Sequence, residues 1–326
     1  MSNKINNKTL LIVLAGLIIV FVLVKWYQKT QTESTLNTAL VKIDTTKVSR
    51  IAIYPVAENR QEILFSKIGK DWKVSKGNIT AEVDENVINN LIITLSEIKV
   101  KSLVAKNKDK WDDFKVSDTT ATRVKVFEGN DVVADLMIGR FTYQQSQNPY
   151  GGMYGGGVIG STYVRPADED EVYAVDGFLT FTFNQQFTAF RKQTLARFET
   201  NKIEKITFKY PADSSYTLEL KDKKWFIGDK MADSAKVASY ISALSYKNAS
   251  SFVDNQSALN APAWLVRVEG KDMQPVSIEA SSDGSKFIIN STQNPKSYFE
   301  SAKNKLFDEI FKPQSSFFAT KEKKKK

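Results

Sequence analysis

Residues 84–104 have the sequence DENVINNLIITLSEIKVKSLV, and a related stretch, DSAKVASYISALSYKNASSFV, occupies residues 233–253. At a constant offset of 149 and without a gap, six residues are identical in the two stretches. Internal repeats have to be recognised first because they change the interpretation of the whole fold. Two copies indicate a duplicated domain and not a long array of repeats.

The first copy has the pattern of an amphipathic helix. Its apolar residues recur every three or four positions, as Val83, Val87, Ile88, Leu91, Ile92, Leu95 and Ile98. This spacing predicts one apolar stripe along a helix, and Asp84 is expected to be the N-cap. The stripe has to cover another element, most simply the strands that precede it.

Strand patterns surround both copies in the same order. TTKVSRIAI at 45–53 resembles TNKIEKITF at 200–208, and a tryptophan follows a charged turn in each half, at Trp72 and Trp225. Alternating apolar runs around glycine-containing turns predict hairpins after each helix. We therefore predict an α+β fold of two duplicated modules, each a mainly antiparallel sheet covered by one amphipathic helix, behind an N-terminal transmembrane helix.

These patterns also predict the domain boundaries. They are a cytoplasmic N-terminus at 1–8, a transmembrane signal anchor at 9–27, a linker at 28–40, a first module at 41–195, a second module at 196–316 and a lysine-rich tail at 317–326. The phenylalanine-rich stretch 178–190 is expected to be a connecting helix. A final short helix is expected at 302–311, before Pro313.

Composition excludes several classes of chemistry. The chain has no cysteine and no histidine, which excludes disulfides, thiolate nucleophiles, imidazole bases and Cys/His metal sites. The net charge is +9, but Lys4, Lys8, Lys25 and the tail carry most of it. Nucleic-acid binders place cations along a folded face, so no nucleic-acid partner is expected.

The N-terminus has the pattern of a membrane anchor. Fifteen uncharged residues, 10–24, run from Leu10 through Leu17 to Val24 and are followed by Lys25, Trp26 and Tyr27. The apolar run approaches the length needed to span a bilayer. A cleaved signal peptide is the alternative, but the bulky residues after the run favour retention. We expect the lipid bilayer as a partner and the large domain on the extracytoplasmic, periplasmic side of the inner membrane.

A glycine- and tyrosine-rich loop, 147–161, distinguishes the first half from the second. It contains PYGGMYGGGVIG, without the lysine and helix that a phosphate-binding loop requires. Its exposed side chains Tyr150, Met153 and Tyr154 are candidates for contact with a protein partner. A flexible loop without specific chemistry and a nucleotide site are the alternatives.

Acidic residues provide the remaining site candidates. Residues 168–171, DEDE, lack the alternating spacing of calcium loops, so a solvated hairpin turn is expected. The carboxylates of Asp109, Asp112 and Asp113 lie beside Trp111, which suggests a sugar platform, and a polar surface loop is the alternative. Trp72 and Trp225 are expected in the core, and the tail KEKKKK is expected to be a solubilising tail, with anionic lipid binding as the alternative.

The chain resembles a family of membrane-anchored bacterial envelope proteins. The resemblance rests on the anchored N-terminus, residues 44–51 (DTTKVSRI), the DWKV turn at 71–74, Ile138-Gly139, TYV at 162–164 and VYAV at 172–175. These motifs are similar to those of domain-of-unknown-function family 4340 over most of residues 41–178, with a weaker echo in the second half. The resemblance implies an envelope location, and for some members an association with auxiliary subunits of gliding-motility-type ABC transporters.

The sequence thus predicts a non-enzymatic interaction or accessory protein of the envelope with a protein partner, and no catalytic residue, cofactor or metal site is expected. A glycan-binding module is one alternative. A glycan hydrolase that uses two carboxylates across a cleft is another, with Asp109, Asp112, Asp113, Glu169 and Glu171 as candidates. The small-molecule ligand, if one binds, is not specified.

Overall fold

A computed structural model describes residues 16, 18–21, 40–145, 158–256, 258, 259, 261–282, 284–302 and 305–319 of the chain. Packing divides the chain into two compact units. The first contains residues 1–62 and 89–185, and the second contains residues 63–88 and 186–326. This division follows contacts in space, so the predicted module boundaries along the chain stay predictions.

The elements of the first half are mainly short strands. In chain order they are β1 (Val48–Tyr54), β2 (Ile63–Ile68), β3 (Asp71–Lys76), β4 (Ile79–Glu82), α1 (Glu85–Ser96), β5 (Val100–Ala105), α2 (Trp111–Phe114), β6 (Thr122–Glu128), β7 (Asp131–Gln145), β8 (Val158–Pro166), β9 (Val172–Asp176) and α3 (Leu179–Phe183).

The second half has the same character. Its elements are α4 (Phe187–Phe190), β10 (Thr194–Arg197), β11 (Ile203–Lys209), β12 (Tyr216–Lys221), β13 (Lys224–Ile227), β14 (Lys230–Met231), α5 (Ser234–Ser245), β15 (Tyr246–Asn248), β16 (Trp264–Gly270), β17 (Val276–Ser282), β18 (Phe287–Ser291), β19 (Asn294–Ser301) and α6 (Leu306–Ile310). Short 3₁₀ turns lie at Val56–Glu58, Lys108–Lys110, Thr200–Lys202 and Gln314–Phe317.

In the first unit, neighbouring strands follow the order β1-β6-β7-β8-β9-β5. The predicted hairpin at 128–131 is present, because Glu128 pairs with Asp131 and Gly129 has a φ of +62°, which suits a tight turn. Inward-facing side chains of these strands, such as Val124, Val126 and Val164, are fully buried. The fold is thus α+β, with mostly antiparallel strands and few helices.

In the second unit, β4-β3-β2 are neighbours, and an eight-stranded sheet has the order β14-β13-β12-β11-β16-β17-β18-β19. β10 and β15 form a separate antiparallel pair, in which Arg197 is opposite Tyr246. A single hydrophobic core joins the sheet to α5 and α6, with Phe208, Leu244 and Phe299 among its buried members. The β10–β15 pair is the part of this unit that positions the site described below.

The order of elements recurs in the two halves. α1 and α5 each have 12 residues, and their bounds differ by the offset of the sequence repeat. β6 pairs with β1 and β7 as β16 pairs with β11 and β17. Where the first half pairs β5 with β9, the second has a single bridge between Phe252 and Phe299. The second half therefore keeps the order but not every strand.

The apolar stripe predicted for α1 is confirmed. Ile88, Leu91, Leu95 and Ile98 are buried, and the equivalent face of α5 buries Val237, Tyr240, Ile241 and Leu244. α5 begins at a true cap, since the carboxylate of Asp233 accepts from the backbone N–H groups of Ala235 and Lys236. At α1, the backbone carbonyl of Asp84 accepts from the backbone N–H groups of Val87 and Ile88.

Two expectations for the chain interior are met only in part. Trp72 and Trp225 are half-buried and not in the core proper, although Trp225 packs against it. The stretch 178–190 is not one helix but two, α3 and α4, because the backbone leaves the helical region at Asn184, with φ of −92° and ψ of 59°. The side-chain carbonyl of Asn184 accepts from the N–H of Ala57. The expected final helix is present as α6, and it is shorter than predicted.

Candidate functional site

The residues predicted for the membrane anchor, Leu10, Leu17, Val24, Trp26 and Tyr27, lie outside the described residues. So do the loop residues Tyr150, Met153 and Tyr154. Within the described ranges, no helix has both the length and the apolar character needed to cross a membrane. The anchor and the loop contact therefore stay predictions.

The acidic residues proposed for a sugar platform are surface groups of one small region of the first unit. Lys110 bonds to Asp113 at 3.2 Å, and the indole N–H of Trp111 donates to the carbonyl of Asp170 at 2.9 Å. Asp109, Asp112 and Glu169 are exposed. The predicted turn at 168–171 is an exposed connection between β8 and β9, and Trp111 anchors it.

Arg165, which the sequence did not single out, organises this region. Its side chain is 1% exposed, and it donates to the backbone carbonyls of Val116, Pro166, Ala167 and Glu169. Because its donors are used internally, the guanidinium holds two loops together and is not available to a ligand. Among the residues described, no group of three or more Asp and Glu side chains is placed to bind a metal.

The site with free recognition groups lies in the second unit. An open cleft of about 700 Å³ is lined by twelve residues, among them Asp84, Asn86, Arg191, Arg197, Tyr246 and Asn248. They come from the start of α1, from α4 and the segment after it, from the β10–β15 pair and from the turn between β18 and β19. Clefts of this size suit small ligands, which bind in volumes of about 300–1,000 Å³.

Arg191 is a buried cation in the wall of the cleft. Its side chain is 5% exposed, and its Nη1 donates to Asp254 at 2.7 Å. The guanidinium lies over the ring of Phe252, with Cζ 3.8 Å from the centroid. Its Nε is shielded from solvent and has no hydrogen-bond partner within the described ranges of the chain. A buried donor without an acceptor costs about 1–3 kcal/mol. Asp254 and Phe252 therefore hold this side chain in place, but one of its hydrogen bonds is not formed.

Arg197 is the exposed cation of the cleft. Its Cζ lies 3.4 Å from the ring centroid of Tyr246, its partner across the β10–β15 pair. Gln293 fixes its backbone, because the Arg197 N–H donates to Gln293 at 2.6 Å and the Gln293 amide donates to the Arg197 carbonyl at 2.9 Å. In the part of the chain described, the Arg197 guanidinium has no ion pair. Its donors therefore face solvent in a defined orientation.

The remaining polar groups differ in how far they are engaged. Lys192 lies 3.9 Å from Glu82, a long ion pair, while its backbone N–H donates to the carbonyl of the same residue at 2.7 Å. Asn86 and Asn248 are exposed, and no side-chain hydrogen bond from either is present among the described residues. The cleft thus offers one free guanidinium, one buried guanidinium and two free carboxamides.

A second cleft of about 540 Å³ lies beside α5 and the C-terminal segment. Tyr240 and Phe317 contribute to its lining, and the hydroxyl of Tyr240 is engaged with the carbonyl of Ile310. We favour the first cleft because its cations and amides are not fully paired.

Sequence reasoning missed Arg191 and Arg197. Both lie between the two repeated patterns, in a segment with no counterpart to compare, and neither belongs to a known short motif. The one weak signal in the sequence was the position of the two arginines, because a separate function is expected where the two copies differ. The cleft residues are separated by as many as 209 positions, between Asp84 and Gln293, so no local pattern brings them together.

Residues 72–263, more than half of the chain, match the model of the family described as Domain of unknown function (DUF4340). The match begins at Trp72 and continues through the β10–β15 pair, so it extends further into the second half than the sequence motifs indicated. No curated protein gives a significant match, and no solved structure does. The chain therefore belongs to the DUF4340 family, whose function is unknown.

Proposed function

We propose that this protein is a membrane-anchored, extracytoplasmic accessory protein of the bacterial envelope that acts by binding. The observation that carries the binding role is the cleft of the second unit, in which Arg197 is oriented by Gln293 and Tyr246 but has no ion pair among the described residues. A fixed, unpaired guanidinium is a recognition group, because it presents several donors in a rigid geometry.

The envelope location is supported by the sequence. The apolar run 10–24 and the following Trp26 and Tyr27 are typical of a retained anchor. The family resemblance implies the same setting and an auxiliary role beside a gliding-motility-type or other ABC transporter. We propose the bilayer and a protein of such a complex as partners.

We also propose that the two halves arose by duplication, giving two modules of antiparallel sheet, each with one amphipathic helix, behind the transmembrane helix. The equal lengths of α1 and α5 at the repeat offset support this origin. Both copies need a core, so the residues that form it are constrained in each. Segments that differ between the copies are free to acquire a separate function. The loop 147–161 and the segment that carries Arg191 and Arg197 are two such differences.

Protease accessibility tests the location. Full-length protein with a C-terminal tag is expressed in its bacterial host, and spheroplasts are treated with protease before and after lysis. We expect loss of the tag in intact spheroplasts while a cytoplasmic marker survives. A tag that is digested only after lysis would contradict the proposed orientation.

Cross-linking tests the accessory role. Native membranes are cross-linked, and proteins that co-purify with the tagged chain are identified. We expect a transporter component, and we expect its yield to fall when Tyr150, Met153 and Tyr154 are changed to alanine. Tyr143→Ala is the matched control, because Tyr143 is 66% exposed and lies on β7, outside the loop. Recovery of no transporter component would count against the proposal.

A glycan-binding module is the second candidate. The free carboxamides of Asn86 and Asn248 in the lining of the cleft favour it, since each offers donors and an acceptor to sugar hydroxyl groups. The carboxylate-based hydrolase stays a weaker proposal. Alanine substitution of Asp109, Asp112, Asp113, Glu169 and Glu171 tests it, because a hydrolytic activity unchanged in that variant would exclude these residues.

A further inference from the structure

The cleft in the second unit has a surplus of positive charge. Arg191, Lys192 and Arg197 line it, and Asp84 is the one lining carboxylate. Asp254 offsets Arg191, whereas Glu82 pairs with Lys73 at 3.2 Å and lies 3.9 Å from Lys192, so it offsets these two cations with one charge. Arg197 has no carboxylate partner in the described part of the chain, so the surplus lies where the cleft opens to solvent.

The buried Arg191 is fixed in the wall of this cleft. Its side chain is 5% exposed, and among the described residues its Nε donor has no acceptor. Asp254 and the ring of Phe252 prevent it from turning away. An anion in the cleft therefore gains direct hydrogen bonds from Arg197, while the Arg191–Asp254 ion pair forms a fixed polar wall.

The rest of the lining suits a neutral, hydroxyl-rich body. The carboxamides of Asn86 and Asn248 each offer donors and an acceptor. Tyr246 is 64% exposed, and the guanidinium of Arg197 is stacked over one face of its ring, with Cζ 3.4 Å from the centroid. Because Asn86 and Asn248 line the same cleft as Arg197, their carboxamides offer donors and acceptors to the hydroxyl groups of a sugar whose charged group binds Arg197.

From these observations we infer that the cleft binds an acidic saccharide, with the sugar carboxylate on Arg197 and the hydroxyl groups on Asn86 and Asn248. This inference rests on the proposed binding function and names its ligand class. A carboxylate takes two parallel N–H bonds from a guanidinium, which fixes the sugar in one orientation. The ligand belongs to the class of short uronic acid oligomers or other carboxylated sugars.

Binding of digalacturonic acid to the purified full-length protein in detergent tests the inference. Calorimetry and thermal unfolding are measured with this probe and with a neutral digalactoside of the same linkage, with inorganic phosphate and with the dipeptide Glu-Glu. We expect saturable binding of the acidic disaccharide and an increase in the Tm of the protein when it binds. We expect the neutral disaccharide to bind at least about tenfold more weakly, because it cannot form the charge-assisted hydrogen bond.

Variants of the cleft complete the test. Arg197→Ala is expected to weaken digalacturonate binding at least about tenfold, and Asn248→Ala is expected to weaken both disaccharides. Arg267→Ala is the matched control, because Arg267 is an exposed arginine of β16 that does not line the cleft. Arg197, Asn248 and Arg267 are exposed, so none of the three substitutions is expected to disturb the core. An unchanged Tm of each variant without ligand confirms that it folds.

Three results would overturn the inference. They are equal affinity for the neutral disaccharide, binding that Arg197→Ala does not change, and tighter binding of phosphate or of Glu-Glu, which would indicate a simple anion site or a peptide site. The accessory role is judged separately by cross-linking. A recovered transporter component with no binding of digalacturonate would leave the proposed function in place and reject the ligand class.

Discussion

The guanidinium of Arg165 lies over the indole of Trp111, with Cζ 3.6 Å from the ring centroid. Around this contact, Arg165 donates to Asp118 at 3.2 Å and to the carbonyl of Val116 at 3.1 Å. Burial lowers the pKa of Arg165 from its usual range, and Asp118 opposes that shift. A buried cation is tolerated here because it replaces its lost water with carbonyls, a carboxylate and an aromatic face.

Arg165→Met is expected to lower the free energy of unfolding by about 3 kcal/mol, because it leaves several carbonyls without a donor. Urea denaturation of the purified full-length protein measures the loss. Arg140→Met is the control: Arg140 is exposed, donates to the carbonyl of Asp113 and lies 5.0 Å from the ring centroid of Tyr163. We expect less than about 1 kcal/mol for it. Equal losses would show that Arg165 does not organise the loops.

Gly139 on β7 is required by close backbone packing. A Cβ at this position would lie 2.2 Å from the carbonyl oxygen of Phe114 and 2.7 Å from Val116 Cγ1. A backbone carbonyl cannot move aside cheaply, so we expect Gly139→Ala to destabilise the protein by about 2–3 kcal/mol in urea denaturation.

Gly129→Ala provides the comparison for that prediction. Gly129 has a φ of +62° and open space around its Cα, so its substitution incurs only conformational strain, about 1 kcal/mol. If Gly129→Ala were the more destabilising of the two, close packing at Gly139 would not be the dominant constraint.

Three tyrosines hold the C-terminal segment to the second unit. Tyr240 donates to the carbonyl of Ile310 at 2.7 Å, and Tyr210 and Tyr216 donate to that of Lys312 at 2.9 and 2.5 Å. Burial is the main cause that raises the pKa of each above the usual 10.0. The anionic form is disfavoured in the folded state because it is desolvated there.

The resulting pH dependence has a definite sign. The pKa of each tyrosine is higher in the folded protein than in the unfolded chain, so the unfolded chain ionises first. The contribution of the neutral hydroxyl groups to stability is therefore complete below pH 10 and is lost as the pH rises above that value. Urea midpoints measured from neutral pH upward should therefore fall beyond pH 10. In Tyr240→Phe the decline should be shallower, since one titrating group is missing. A decline of unchanged steepness would contradict the assignment.

Asp44 is expected to titrate at low pH. The hydroxyl of Thr46 donates to its carboxylate at 2.6 Å, and this bond, followed by that from Lys47, lowers its pKa from 3.8 to about 2. The bond therefore stabilises the fold above pH 3.8, and this contribution is lost as the pH falls toward 2. NMR titration of the carboxyl carbon measures the value directly.

Thr46→Ala should raise the pKa of Asp44 toward 3.8 because it removes the largest cause of the shift. Thr45→Ala is the matched control, since Thr45 is an exposed neighbour of the same type that makes no described bond to Asp44. A similar increase in both variants would show that the shift arises from the turn as a whole and not from the Thr46 hydroxyl.

Local patterns predicted much of the fold. The spacing of Ile88, Leu91 and Leu95 identified α1, and the repeat offset identified α5, because helix periodicity depends on neighbouring residues only. The hairpin at Gly129 was predictable for the same reason. Trp72 and Trp225 are only half-buried, which local patterns did not predict, because burial depends on what packs against a strand and is not a local property.

The candidate site was not predictable in this way. Arg191 was one arginine after a phenylalanine-rich stretch, and its significance depends on Asp254 and Phe252, which are about sixty residues away in the chain. Arg197 depends on Gln293, which is 96 positions distant. Charge pairing and ring contacts act through space, so the same residue is an ordinary surface group or a fixed recognition group according to the fold.

The amino-acid sequence by itself determined the α+β class, the recurring order of strands and helix, and the family, because periodicity, turn chemistry and repeated motifs are properties of the chain. Tertiary structure alone decided that Arg165 is satisfied by two loops while Arg191 retains an unpaired Nε beside a free Arg197. The physical reason is that the satisfaction of a polar group depends on which distant donors and acceptors the packed chain brings within hydrogen-bond distance.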